Sequence, residues 1–303
     1  MSHRISRRRA IGLMATAAAG LAVQPSIFSR GMRAASLPSV VRATGGDSPR
    51  KLVEAAVSSL GGMSRFVARG NIVVVKPNIG WDRSPEQAAN TNPEAVATVV
   101  EACLNAGAKR VHVFDRTCND ARRTYAHSGI AAAARAAGAE VSYVDENLYK
   151  NVTLNGVYLK EWNVYKLILE CDTLINMPIA KHHGLSSRTL SMKNWMGVIG
   201  GNRGHFHHNM DQSLIDLAAA VKPHVTILDA YRILIAGGPT GGSLDLVQTP
   251  RTVIAGVDQI AVDAWACTLF PDARTVPGYL DMAKKLGLGE PDFRSLPHLE
   301  IAV

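Results

Sequence analysis

The stretch that decides the fold is Asn71-Ile72-Val73-Val74-Val75, which Lys76-Pro77-Asn78 follows directly. An uninterrupted apolar run of this length is typical of a strand buried on both faces of a parallel sheet. Helices are predicted on both sides of it, at residues 51–60 and from Asn92-Pro93-Glu94 to residue 105. A serine or asparagine before a proline marks the start of each, and glycine follows each end. The run is therefore predicted to be a central strand covered by helices.

The same order of strands and helices continues along the chain. Further strands are predicted at residues 111–114, 140–144, 167–176, 225–228 and 252–255, and further helices at 130–137, 258–269 and 277–286. Residues 152–165 alternate in polarity around Asn155-Gly156, which predicts a β-hairpin. Residues 36–47 are expected to be a flexible lead-in. The predicted fold is α/β, a mainly parallel sheet flanked by helices with a β-hairpin insertion.

The amino terminus carries the pattern of an export signal. Ser6-Arg7-Arg8-Arg9-Ala10-Ile11 leads into a mildly apolar run that ends at Val23, and no acidic residue precedes Asp47. The paired arginine favours the twin-arginine route over an ordinary secretory signal. We therefore expect residues 1–35 to be a signal peptide read by the twin-arginine translocation machinery. Residues 36–303 are expected to form a single exported, periplasmic α/β domain.

Composition narrows the function classes. The formal charge is +8, but residues 1–35 contain six arginines and no acidic residue, which leaves +2 for residues 36–303. A nearly neutral domain gives no electrostatic argument for nucleic-acid binding. No later segment is long and apolar enough to cross a membrane. The four cysteines include no C-x-x-C pair, so we expect no iron–sulfur cluster ligated by this chain.

Polar and charged residues follow the predicted strands, where ligands bind in open parallel sheets. Gly256 and Asp258, which follow the last of these predicted strands, are expected at this edge as well, with Asp263 further on. The catalytic candidates are Lys181, His182, His183, Lys193, Asp115 and Asp229. The substrate-binding candidates are Lys76, Asn78, Asn176, Asn194 and Arg232. Lysines would hold negative charge, a histidine would move protons, and an aspartate would orient the histidine or bind a metal. The alternative is that these residues are ordinary polar loops and helix caps.

A second cluster, His205, His207, His208 and Asp211, lies in one short segment. Neutral imidazole is a common ligand of divalent metals, so the cluster is a candidate metal site. No spacing within it is diagnostic of a metal. Contact of the histidines with substrate, or an inert polar loop, are the alternatives, and substrate contact is slightly favoured.

At these residues the chain resembles the domain-of-unknown-function family 362. The matching segments occur in order: Val75-Lys76-Pro77-Asn78, Thr91-Asn92-Pro93-Glu94, Asn176-Met177-Pro178, Lys181-His182, Met192-Lys193-Asn194 with Gly197, Gly256-Val257-Asp258 and Ala261-Val262-Asp263. The resemblance implies an α/β domain and a link to iron–sulfur or redox chemistry, because some members are fused to ferredoxin-type modules. It supplies no reaction.

Two functions from different classes remain open. The leading hypothesis is an exported enzyme that acts on a small anionic or polar substrate, with metal-assisted and redox-linked chemistry as options. The alternative is a non-catalytic exported module that binds a metal or an anion and docks with a redox partner protein. No cofactor is specified beyond a candidate divalent metal.

Overall fold

The computed structural model describes residues 37–303. The predicted signal peptide therefore lies outside the described residues. In the described part the helices α1 to α9 are Pro49–Ser59, Pro93–Asn105, Ala121–His127, Ile130–Ala136, Lys166–Glu170, Ser191–Asn194, Met210–Ala220, Gln259–Cys267 and Tyr279–Lys285. The strands β1 to β13 are Val40–Thr44, Ile72–Pro77, Arg110–Val113, Glu140–Val141, Tyr149–Thr153, Glu161–Tyr165, Thr173–Met177, Ile179–His183, Ser187–Thr189, Val225–Leu234, Val247–Gln248, Thr252–Gly256 and His298–Ala302. None of these helices has the length and apolar character needed to cross a bilayer.

Eleven of these strands form one mixed sheet, in the order β13-β1-β12-β10-β7-β2-β3-β4 along its main path. Strand β2 pairs in parallel with β3 and β7, and β7 pairs in parallel with β10. Strand β12 runs antiparallel to both of its neighbours, β1 and β10. Strands β5 and β6 form a separate antiparallel hairpin. The predicted mainly parallel α/β sheet with a hairpin insertion is confirmed.

The apolar run of β2 is buried on both faces because helices cover both. Val73 and Val75 pack in the core that contains Leu52 of α1 and Val96 of α2. Val74 points to the opposite face and packs in the core that contains Trp195. Successive side chains of a strand alternate between faces, so a strand covered twice must be apolar throughout.

Two local predictions were wrong. The flexible lead-in predicted for residues 36–47 is wrong for its described part, residues 37–47, which contains β1, whose Val40 and Val41 are completely buried. Its hydrogen-bond partners, β12 and β13, lie more than two hundred residues further along the chain. Residues 167–176 are not one strand, because α5 occupies the first part and β7 the second.

The direction of β12 corrects a third prediction. Because β12 is antiparallel to β10, its carboxyl end lies at the opposite edge of the sheet from the carboxyl ends of β2 and β7. Asp258, which follows it, accepts hydrogen bonds from the backbone N–H groups of Ile260 and Ala261 and caps α8. Asp258 therefore belongs to a helix terminus and not to the sheet edge at which β2 and β7 end.

Candidate functional site

A cavity of about 410 Å³ opens where β2 and β3 end and where β8 continues the line of β7. Lys76 reaches it from the end of β2, Asp115 from the loop after β3, Lys181 from β8 and Lys193 from α6. The carboxyl ends of neighbouring parallel strands meet at one edge, which is where open α/β sheets bind ligands. The topology therefore brings residues that are distant in sequence into one pocket.

The deepest charged feature of the pocket is an ion pair between Lys76 and Asp115. Lys76 Nζ lies 2.8 Å from Asp115 Oδ1, and both side chains are buried. The other carboxylate oxygen accepts a 2.6 Å hydrogen bond from the backbone N–H of Ile79. Burial lowers the pKa of Lys76, and the negative charge of Asp115 opposes that shift. Gly197 packs directly against Asp115 Oδ1 and Lys76 Nζ, so no side chain fits there.

Three amide side chains extend this ion pair into a hydrogen-bond network. Asn194 Oδ1 accepts from Lys76 Nζ at 2.9 Å and from Asn78 Nδ2 at 3.2 Å. Asn194 Nδ2 donates to Asn176 Oδ1 at 2.8 Å, and Asn176 Nδ2 donates to the carbonyl of Ser191 at 2.9 Å. A satisfied buried network of this kind fixes its members in one arrangement. Asn176 therefore supports Asn194 from beneath the pocket.

Lys181 is held by oxygen acceptors. Its Nζ donates to the carbonyl of Ala89 at 2.5 Å and to Asn78 Oδ1 at 3.2 Å. Burial lowers the pKa of Lys181 to about 7. The amine is therefore held in one orientation, and only part of the molecules carry it in the protonated form at neutral pH.

Lys193 has a different environment from the other two lysines. Its Nζ contacts the thioether sulfurs of Met196 at 3.3 Å and Met210 at 3.6 Å. The side chain lines the cavity, and the residue is only 6% exposed. Burial lowers the pKa of Lys193 to about 8. Because thioether sulfur is a weak acceptor, these contacts do little to retain the proton of the ammonium group.

Two histidines face the same cavity. His183 Nδ1 accepts hydrogen bonds from the backbone N–H groups of Leu185 and Ser186, at 3.1 and 3.3 Å, so the proton of its neutral ring belongs on Nε2. Burial lowers the pKa of His183 to about 3. The ring of His207 lies 6.3 Å from that of His183 between centroids. Burial and the positive charge of Lys193 lower the pKa of His207, so both rings are neutral at neutral pH.

The rim of the pocket adds more positive charge. Arg116 and Arg203 both line it, and Arg203 is held by donating to the carbonyls of Arg116 and Thr117 at 2.8 Å each. Among the described residues that line the cavity, Asp115 carries the only carboxylate, and Lys76 already pairs with it. Arg116 itself lies 3.4 Å from Glu146 Oε1, so the positive charge that remains belongs to Lys181, Lys193 and Arg203. A net positive charge of this kind suits an anionic ligand.

Comparison with known proteins places these residues in a family. Residues 73–268 match the family model described as Domain of unknown function (DUF362). This range contains every pocket residue named above. The chain belongs to this family. Over 241 residues it is 26% identical to the thylakoid-associated protein sll1697 of Synechocystis sp., with 76% of this chain and 72% of that protein covered.

Two solved structures resemble this DUF362 chain at 12% sequence identity. A crystal structure of a protein from Thermotoga maritima aligns with a TM-score of 0.48 and covers 75% of this chain and 60% of that one. The lactate racemase apoprotein of Thermoanaerobacterium thermosaccharolyticum aligns with a TM-score of 0.40 and covers 71% and 53%. The chain spans less than two thirds of the length of either structure.

Three predicted site residues of this DUF362 member have other partners. Asp229 accepts from the backbone N–H groups of Asn92 and Tyr231, at 2.7 and 2.9 Å, and burial raises its pKa to about 6. Arg232 lies over the ring of Tyr231, 5.2 Å from its centroid. His182 Nδ1 accepts from the backbone N–H of Gly238 at 3.1 Å. Both Asp229 and Arg232 lie inside β10, which continues to Leu234 and does not end where the sequence indicated.

The predicted histidine–aspartate cluster is spread over different surroundings. His205 stacks on Tyr158, with the ring centroids 5.2 Å apart, and the ring of His208 lies 5.5 Å from it. Asp211 packs against Gly278 at the start of α9, whereas His207 faces the pocket. Within residues 37–303, no three His, Cys, Asp or Glu side chains are arranged to hold a metal ion. The structure therefore brings only His207 of this set to the candidate site.

Several pocket residues were not among the predicted site residues. Arg116 and Arg203 lie at the rim with the exposed thiol of Cys118. Trp81 and Leu185 supply apolar walls near the opening. Arg116 follows Asp115 directly, so its position after a strand was a usable signal. The other residues reach the pocket through long-range packing that no local pattern indicates.

Proposed function

We propose that this DUF362 member is an exported enzyme that acts on a small organic anion bound at the sheet edge. The observation that carries the proposal is the convergence of Lys76, Lys181 and Lys193 on one cavity whose described lining holds a single, already paired carboxylate. Buried positive groups are costly to maintain unless they bind or stabilise negative charge. The apolar walls around Trp81 and Leu185 favour an organic anion over a free inorganic one.

The protonation state of the lysines supports catalysis. The pKa of Lys181 is lowered to about 7 and that of Lys193 to about 8, so both amines exchange protons near neutral pH. A general acid or base works best when its pKa lies near the operating pH. His183 and His207 remain neutral beside them and can accept or donate hydrogen bonds. Metal-assisted and redox-linked versions of the reaction stay predictions.

A second candidate function is a non-catalytic anion-binding module that docks with a redox partner. It is favoured by the way several site groups are already engaged. Asp115 is paired with Lys76, and His183 Nδ1 accepts from two backbone N–H groups. These contacts leave fewer groups free to move protons than an acid–base site usually offers.

Anion binding is tested by calorimetry with a panel of small carboxylates and sulfate at pH 7. We expect Lys181→Met and Lys193→Met each to weaken binding by about tenfold or more, since loss of a charged hydrogen-bond partner costs about 1.5–3 kcal/mol. Lys109→Met is the matched control, because Lys109 is exposed and precedes β3 at the opposite edge of the sheet. Equal affinity in all three variants would remove the basis of the proposal.

Turnover distinguishes the enzyme from the binding module. Small carboxylic acids that bind are incubated with catalytic amounts of protein, and their conversion is followed by NMR. The enzyme should convert at least one of them at a rate that depends on pH. Lys193→Met should abolish this pH-dependent conversion. Binding without conversion of any compound, together with pH-dependent affinity, would favour the module.

Export through the twin-arginine route is tested separately. Arg7→Lys with Arg8→Lys keeps the charge but removes the guanidinium groups, which lysine does not replace. We expect this double variant to accumulate inside the cell, whereas Arg4→Lys, in the same basic stretch, should be exported normally. Cell fractionation measures both, and normal export of the double variant would contradict the prediction.

A further inference from the structure

The three pocket lysines differ in what their amines contact. Lys76 Nζ faces the carboxylate of Asp115 at 2.8 Å, and Lys181 Nζ donates to two oxygen atoms. Among residues 37–303, Lys193 Nζ has only the sulfurs of Met196 and Met210 within hydrogen-bond range. Oxygen acceptors stabilise an ammonium group, and a thioether hardly does so. Lys193 is therefore the lysine whose amine is least committed to protein partners.

The position of Lys193 also places its amine where a molecule bound in the cavity can contact it. The residue is 6% exposed and lines the cavity, so its Nζ is shielded from bulk water but open to a bound molecule. The groups that face it are Arg203, Lys181, His183, His207 and Cys118. Most of these are positive or neutral, and a desolvated lysine beside other cations is the arrangement that activates an amine as a nucleophile.

We propose that Lys193 is the nucleophile of this site and that its substrates are small carboxylates that also carry a ketone or aldehyde group, of which 2-oxo acids are the simplest. This inference rests on the proposed function, because it assigns the substrate class of the same anion pocket. The carboxylate would contact Lys181 and Arg203, and the carbonyl carbon would face Lys193 Nζ. Trp81 and Leu185 would accommodate the remainder of the molecule.

The covalent step is a condensation. The neutral amine of Lys193 attacks the carbonyl carbon, and a C–N bond forms while the C=O bond opens to a carbinolamine. The carbinolamine oxygen then leaves as water with the two protons that the amine nitrogen loses, and a C=N bond remains. No oxidant or reductant is consumed. The imine, once protonated, withdraws electrons from the neighbouring carbon and splits a difficult reaction into two easier ones.

The test is reductive trapping with glyoxylate as the probe. The full protein is incubated with glyoxylate and sodium cyanoborohydride at pH 7.5, and peptide mapping by mass spectrometry locates the carboxymethyl group that hydride delivery to the imine carbon leaves. We expect Lys193 to be labelled at least about tenfold faster than Lys109, because the lower pKa leaves far more of its amine neutral. Sulfate should slow labelling at Lys193 and leave Lys109 unaffected.

Variants keep the test decisive. Lys193→Arg retains the positive charge but offers no nucleophilic amine. The variant should remain folded by circular dichroism and bind sulfate. It should carry no label at position 193, and labelling of its other lysines should not increase. Labelling of Lys193 no faster than Lys109 in the wild type would overturn the inference. If sulfate still binds in that case, the proposed anion site stands and only the nucleophile is wrong. If neither sulfate nor any small carboxylate of the calorimetry panel binds, the proposed function fails as well.

Discussion

Replacing Lys193 by methionine should stabilise the protein at neutral pH. The side chain is buried, its Nζ has two sulfurs as hydrogen-bond partners within the described part of the chain, and burial lowers its pKa to about 8. In the unfolded chain the pKa of lysine is about 10.4, and each unit of difference corresponds to about 1.4 kcal/mol. The buried charge therefore costs about 3 kcal/mol of folding free energy wherever lysine is protonated in both states. Methionine is of similar length and carries no charge.

The sign of the pH dependence follows from the lowered pKa. Between about pH 8 and pH 10.4 the unfolded chain binds more protons at this lysine than the folded protein, so wild-type stability rises with pH in that window. Lys193→Met lacks that rise. The variant should be more stable by about 3 kcal/mol at pH 7 and roughly equal to the wild type at pH 10.5.

Thermal and urea unfolding at both pH values measure this difference. For a chain of this size, a gain of about 3 kcal/mol should raise the Tm by roughly 6–12 °C at pH 7. Lys109→Met, on the exposed surface, should change the unfolding free energy by about 0.5 kcal/mol or less at either pH. A Lys193→Met variant that is less stable than the wild type at pH 7 would refute the reasoning, because the lysine would then be a structural residue.

Three further outcomes are expected. Asp115→Asn leaves the buried Lys76 ammonium without its counter-ion and should lower the unfolding free energy by about 3–5 kcal/mol in urea titrations; an unchanged midpoint would contradict the buried pair. Gly197→Ala places a methyl group against Asp115 Oδ1 and Lys76 Nζ, so soluble yield or Tm should fall. Gly184→Ala is the control for loss of a glycine, because the nearest atom to its added methyl group is the carbonyl oxygen of Gly238 at 3.9 Å. Sulfate affinity, measured by calorimetry in a Cys118→Ser background, should weaken as the pH rises from 6 to 9.5. The reason is that Lys181 and Lys193, with pKa values of about 7 and about 8, lose their charge in this range. The decrease should be smaller in Lys193→Arg, and a pH-independent affinity would count against both lysines as ligands.

Aspartates at similar sequence positions show how far the site was predictable. Asp115 and Asp229 each follow an apolar run that predicts a strand. Strand β3 ends at Val113, so Asp115 reaches the pocket. Strand β10 continues to Leu234, so Asp229 stays inside it and accepts from the backbone N–H of Asn92. The apolar pattern indicates that a strand exists, but its end depends on whether a neighbouring strand continues the pairing, as β8 does for β10.

By itself, the sequence determined the elements whose signals are local. The apolar run of β2 predicts burial on both faces, and Asn92 before Pro93 marks the start of α2, where its side chain accepts from the backbone N–H of Glu94. Only the tertiary structure decided that β12 runs antiparallel, that β1 lies between two distant strands, and that Met210 of α7 lies beside Lys193. The reason is physical: a cap or a strand period involves neighbours in sequence, whereas strand pairing and the environment of a buried amine are set by residues brought together only when the chain folds.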